Sequence, residues 1–120
     1  MSYDIRLKDR VTGKTLALDF PHQIRGGCYA VGGTNEAWLN VTYNYADIFY
    51  RDDVLGKDGI RSIYGKSGAE SIPMLQKAIS VLKDDATNDY WEATEGNAKK
   101  ALYGLLAFAQ LRPDGVWDGD

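Results

Sequence analysis

Cys28, the single thiol of the chain, and His22, its single imidazole, are the side chains from which a nucleophile–base pair could be built. They flank a segment bracketed by Gly26-Gly27 and Gly32-Gly33 around Cys28-Tyr29-Ala30-Val31. Such a pair works only when imidazole and sulfur come within hydrogen-bond reach, and spacing alone does not enforce that. His22 beside Pro21 reads equally as a solvated turn residue, and a lone cysteine as a small hydrophobe. The glycine pairs do not form a phosphate loop, because no Gly-Lys-Ser/Thr follows and no G-x-G-x-x-G can be read. They fit a short strand bent at both ends, or backbone that comes close to a ligand.

Metal chemistry finds no ligand set. One histidine and scattered aspartates give no helix-spaced pair, and Asp114-Gly115-Val116-Trp117-Asp118-Gly119-Asp120 lacks the length and terminal Glu of a calcium loop. Asp52-Asp53 and Asp84-Asp85 are adjacent in sequence, and adjacent acids rarely face each other across a substrate. No catalytic residue, metal or cofactor is assigned, and the expectation is a binding protein rather than an enzyme.

Binding chemistry is better represented. From Ala37 to Tyr45 the residues alternate, placing Leu39, Val41, Tyr43 and Tyr45 on one side of a strand. Trp38, Asn40, Thr42 and Asn44 fall on the other: a stacking plane and a row of donors and acceptors. Those groups either meet a ligand or satisfy loop backbone internally. Arg25 and Arg61 are the cations best placed to add an anion-holding fork. Tyr64, close to Arg61, completes the candidate set.

The elements that must position these residues run strands first, helices later. Residues 3–19 read as a β-hairpin turning through Gly13. After the strand at 37–45 come a short helix from Ala46 ending near Gly56 and a single helical turn at 60–64. A helix over 71–83 is expected to start at Ser71 with Pro73 in its first turn, and Ile72, Leu75, Ile79 and Leu82 form its buried stripe. A polar connector, 84–89, and the aromatic pair Tyr90-Trp91 lead to a last helix over 94–111. Its stripe is Ala98, Ala101, Leu102, Leu105, Leu106 and Ala109. Arg112-Pro113-Asp114-Gly115 stops that helix, and Val116 to Asp120 read as a tail. The expectation is one α+β domain spanning residues 1–120. In it, an antiparallel sheet from the N-terminal half packs against two main C-terminal helices.

Composition narrows the partners. A chain of 120 residues, 44% apolar and 26% charged, can bury a core without staples. The net charge of −3 argues against nucleic acid, whose binders need a basic face. With one cysteine there is no internal disulfide, which fits a reducing cytoplasm. The opening residues lack the charged start and apolar run of a signal segment, so none is expected, and no apolar run approaches the ~18 residues of a membrane span. Eight tyrosines and three tryptophans are enough to line an interface, so a homodimer is expected.

Three stretches carry a resemblance: Asn40-Val41-Thr42-Tyr43-Asn44-Tyr45; Gly65-Lys66-Ser67-Gly68-Ala69-Glu70-Ser71-Ile72-Pro73; and the ending from Arg112 to Asp120. Over nearly its whole length the chain resembles a family of small uncharacterised proteins of bacteriophages and prophages. The family carries no assigned activity or catalytic residues. The resemblance implies a bacterial host cytoplasm and an accessory role, and by analogy antagonism of a host defence system. The partner would be a small polar or nucleotide-like ligand that is sequestered. The alternatives are a host protein that is inhibited by contact, or a small hydrolase or transferase acting on a nucleotide.

Overall fold

The computed structural model describes residues 1–22 and 33–120, so Arg25, Cys28 and the expected glycine-framed strand lie outside the described residues. Strands β1 (Ser2–Lys8), β4 (Trp38–Thr42) and β5 (Val116–Gly119) form an antiparallel sheet in the order β4-β1-β5. Strands β2 (Ala17–His22) and β3 (Thr34–Glu36) form a second, two-stranded one. Helices α1 (Ala46–Phe49), α2 (Gly68–Val81) and α3 (Glu95–Leu111) follow, with a 3-10 turn at Tyr43–Tyr45 and another at Gly59–Ile63. The α+β class is as the sequence predicts: α2 and α3 lie against each other and cover one face of the larger sheet. No helix among the described residues is long and apolar enough to cross a membrane.

Alternation along β1 sends Tyr3, Ile5 and Leu7 into the core and Ser2, Asp4, Arg6 and Lys8 to the outer face. Leu39, Val41 and Trp117 join the core side. Opposite them stand Leu75, Ala78 and Ile79 of α2 and Ala98, Ala101, Leu102, Leu105 and Ala109 of α3, all buried. The apolar stripe read from the last helix is therefore its packed face, and Thr94 caps that helix by accepting the Asn97 N–H.

Several elements differ from expectation. The hairpin over 3–19 does not persist. Its arms are joined only near the turn, by a bridge between Lys8 and Thr15, the Asp9 N–H bond to the Lys14 carbonyl, the Leu16 N–H bond to the Leu7 carbonyl and a bond from the Arg6 guanidinium to the Thr15 hydroxyl. Both edges of β1 are already taken by β4 and β5, so the returning chain pairs with β3 instead. The expected tail is β5, which means the sheet is not drawn from the N-terminal half alone.

The central strand also stops early, at Thr42, whose hydroxyl accepts the Asn44 N–H and turns the chain into the 3-10 segment. Helix α2 begins before Ser71. Ser67 accepts the Glu70 N–H while the Glu70 carboxylate accepts the Ser67 N–H, a reciprocal cap that fixes the start. Ser71 is thereby buried inside the helix, and Pro73 lies beyond the first turn.

Both edges of the larger sheet carry partners. Beyond β5, the Gly65 N–H bonds to the Trp117 carbonyl and the Trp117 N–H to the Lys66 carbonyl. Beyond β4, the buried Tyr90 hydroxyl accepts the Thr42 N–H at 2.8 Å and donates to the Asn40 carbonyl at 3.4 Å. An edge-to-edge dimer would have to displace these bonds.

Candidate functional site

Each member of the polar row on the central strand has an intramolecular partner. Asn40 donates to Ser2 Oγ at 2.7 Å and to Asp4 Oδ1 at 2.8 Å, across the pair it forms with β1. Thr42 is buried and spends its hydroxyl on the turn. Asn44, off the strand altogether, donates to the Trp91 carbonyl at 2.7 Å. Trp38 is half-buried on the outer face, opposite Arg6 in the register. Arg6 in turn holds Asp118, which Lys8 shares. The outer face is thus a network of ion pairs and amide bonds. His22 sits apart from it: its Nε2 lies 2.6 Å from the Glu36 carbonyl oxygen, and its ring packs edge-on against Phe108.

Arg61 and Tyr64 belong to a different place. Arg61 comes from the 3-10 turn at Gly59–Ile63, and its guanidinium lies over the Tyr3 ring, 5.0 Å from the centroid. The Tyr43 ring is 5.9 Å away and meets Tyr3 edge-on at 4.5 Å. Tyr3 points to the core side of β1, whereas Asn40 reaches Ser2 and Asp4 on the outer side. Arg61 and Asn40 therefore lie on opposite faces of the sheet, and Asn44 lies beyond its edge strand.

Arg61 Nε donates to the main-chain oxygen of Asp120 at 2.8 Å and Nη2 to the Tyr43 hydroxyl at 3.4 Å. Tyr64 is turned inward against the last strand, where a Cβ on Gly119 would stand 2.5 Å from its hydroxyl. That hydroxyl is buried and has no hydrogen-bond partner among the described residues, so Tyr64 contributes a wall rather than a polar contact.

The setting of Arg61 distinguishes it from other arginines of the chain. Arg6, Arg51 and Arg112 each grip a carboxylate side chain. Arg61 is exposed, has no carboxylate side chain within ion-pair distance among the described residues, and is surrounded by phenols. Burial works against its charge, but Tyr3, Tyr43, Tyr50 and Tyr64 together hold its pKa above the usual arginine value. Among the described residues, two of the guanidinium's five N–H groups are engaged with protein oxygens. The remainder can receive an anion, and the rings around it offer π surface.

Tyr3, Tyr43 and Tyr50 were not among the residues that sequence reading selects. Tyr3 and Tyr43 look like ordinary core positions of alternating strands, and Tyr50 like the end of a short helix. The available signal was the number of tyrosines, which says nothing of where they gather.

Elsewhere, a hollow lined by Ala17, Leu18, Asp19, Leu111 and Arg112 holds about 70 Å³. That is room for water, against the ~300 Å³ or more of a small-molecule pocket. No group of three His, Cys, Asp or Glu residues among the described residues could hold a metal ion.

The corner has a titration signature. Burial, followed by the nearby Tyr50, raises the Tyr3 pKa from 10.0 to about 12. Burial, followed by Asp120, raises Tyr64 as well. An unfolded tyrosine releases its proton near the ordinary value, so above pH 10.0 the folded chain binds more protons than the unfolded one. The stability that Tyr3 contributes is complete below that pH and is lost as pH rises toward about 12. A spectrophotometric phenolate titration followed beside circular dichroism should show the last tyrosines ionising together with unfolding. Ionisation of all eight near the ordinary value, with the fold intact, would contradict this geometry.

Compared with protein-family models, with curated proteins and with solved structures, the chain matches none.

Proposed function

We propose that this chain is a binding protein that sequesters a nucleotide-like anion at the Arg61 corner. It would serve as an accessory factor of a bacteriophage or prophage that blunts a host defence system. The observation that carries the binding reading is Arg61 itself: an exposed guanidinium, oriented by the Asp120 main-chain oxygen, set over an aromatic ring and, among the described residues, without a carboxylate side-chain partner. An Arg fork pairs with phosphate through two parallel N–H bonds, and phenol rings beside it suit a planar base. The phage setting rests on the sequence resemblance, and the anti-defence role on analogy with other small phage proteins.

The test is a nucleotide panel incubated with the protein, with ligand recovered after denaturation. Unchanged ligand returned in proportion to protein supports sequestration, and altered ligand with turnover assigns an enzyme instead. Arg61→Gln should weaken binding by about 1.5–3 kcal/mol, the range for a hydrogen bond to a charged group. Asn44→Ala, which removes only the bond to the Trp91 carbonyl, should leave affinity unchanged. Retention of no nucleotide, together with a stable complex in a host lysate, would move the function to protein–protein inhibition.

A further inference from the structure

Resting on that reading, the geometry points to Tyr50 as the platform on which the base of the ligand stacks. We propose that the corner reads a nucleoside monophosphate through one stacked base and one phosphate, and so prefers purines without discriminating among them. Tyr50 is 40% exposed, although it sits beside a packed cluster. Behind its ring is the backbone of Gly59, where φ is +57° and a Cβ would stand 2.8 Å from the ring. Only glycine tolerates both that conformation and that approach, so the chain brings bare backbone up to the ring and fixes it from behind. Arg61 follows two residues later on the same turn. Tyr50 is also close enough to Tyr3, over which the guanidinium lies, to help raise the Tyr3 pKa. An exposed aromatic ring, backed by buried chain and adjoining a cation that has no carboxylate side-chain partner among the described residues, matches a base joined to a phosphate. Stacking tolerates any base because each has a π face, and a larger ring system covers more of the platform.

The experiment is calorimetric titration of the full chain with AMP, GMP, UMP and inorganic phosphate, on wild type, Tyr50→Phe, Tyr50→Ala and Tyr50→Leu. Leucine keeps apolar cover on Gly59 but has no π face, so it reads the platform even where the alanine variant fails to fold. Wild type and Tyr50→Phe should bind AMP and GMP alike and UMP more weakly. Tyr50→Leu and Tyr50→Ala should lose roughly 5- to 150-fold in purine affinity, the span of one base–aromatic stack, with the response to inorganic phosphate unaltered. Purine affinity unchanged in both Tyr50→Leu and Tyr50→Ala, but lost in Arg61→Gln, overturns the platform and leaves the Arg61 site standing. AMP binding absent from wild type overturns both.

Discussion

Asn97→Ala is expected to destabilise the chain by about 3 kcal/mol or more, because it strands several buried groups at once. Asn97 is fully buried at the start of α3. Its Oδ1 accepts the Thr87 N–H at 2.9 Å, while its Nδ2 donates to the carbonyls of Asp89 and Glu92, both at 2.9 Å. One amide therefore organises the connector between α2 and α3. Beside it the connector lies directly on Gly96, where a Cβ would come within 2.2 Å of the Ala86 nitrogen. The segment so fixed carries Tyr90, whose hydroxyl closes the edge of β4, and Trp91, whose carbonyl holds Asn44. Urea unfolding of the variant checks this. A loss below ~1 kcal/mol would mean that water replaces the amide and that the connector is not fixed from this position.

Trp117→Ala should cost about 3–5 kcal/mol, the range for deleting a large buried aromatic. Trp117 is 1% exposed, and its indole N–H donates to Ser71 Oγ at 2.8 Å, which itself donates to the Gly68 carbonyl. The side chain thus ties β5 to the first turn of α2. Trp117→Phe keeps most of the burial and removes that bond, so its own hydrogen-bond share should be nearer ~1 kcal/mol. Equal losses in the two variants, measured by thermal and urea unfolding, would show that burial is not what makes Trp117 matter.

How far the sequence could be read depends on the range of each interaction. The stripe from Ala98 to Ala109 was legible because a helix repeats its inward face every turn. The start of α2 was misplaced at Ser71, although Ser67-Gly68-Ala69-Glu70 has the spacing of a reciprocal cap. Ser71 and Pro73 mimic a later start and compete with it. The pairing of β1 was not legible. Whether Ile5 and Leu7 face Leu16 and Leu18 or Leu39 and Trp117 turns on which strand claims each edge, and that is settled by the whole core.

The same limit governs the candidate site. Alternation correctly sends Trp38 and Asn40 to the outer face, but it fails at Asn44 because the Thr42 hydroxyl bends the chain first. Tyr3, Tyr43, Tyr50 and Arg61 come from four separate elements or their ends, and no local pattern announces that they meet. Arg61 could be named from sequence as a cation worth watching, whereas its aromatic surroundings come from the fold alone.

Binding of a nucleotide-like anion at Arg61, and not on the asparagine row, is read directly by NMR. AMP is titrated into isotopically labelled protein, and the Arg61 Nε–H resonance is followed with the amides and aromatic rings. Saturable shifts are expected at Arg61, Tyr3, Tyr43, Tyr50 and Gly59, with Asn40, Thr42 and Asn44 unmoved. Shifts centred on Trp38 and Asn40, or an Arg61 resonance that does not move at saturating AMP, would contradict it.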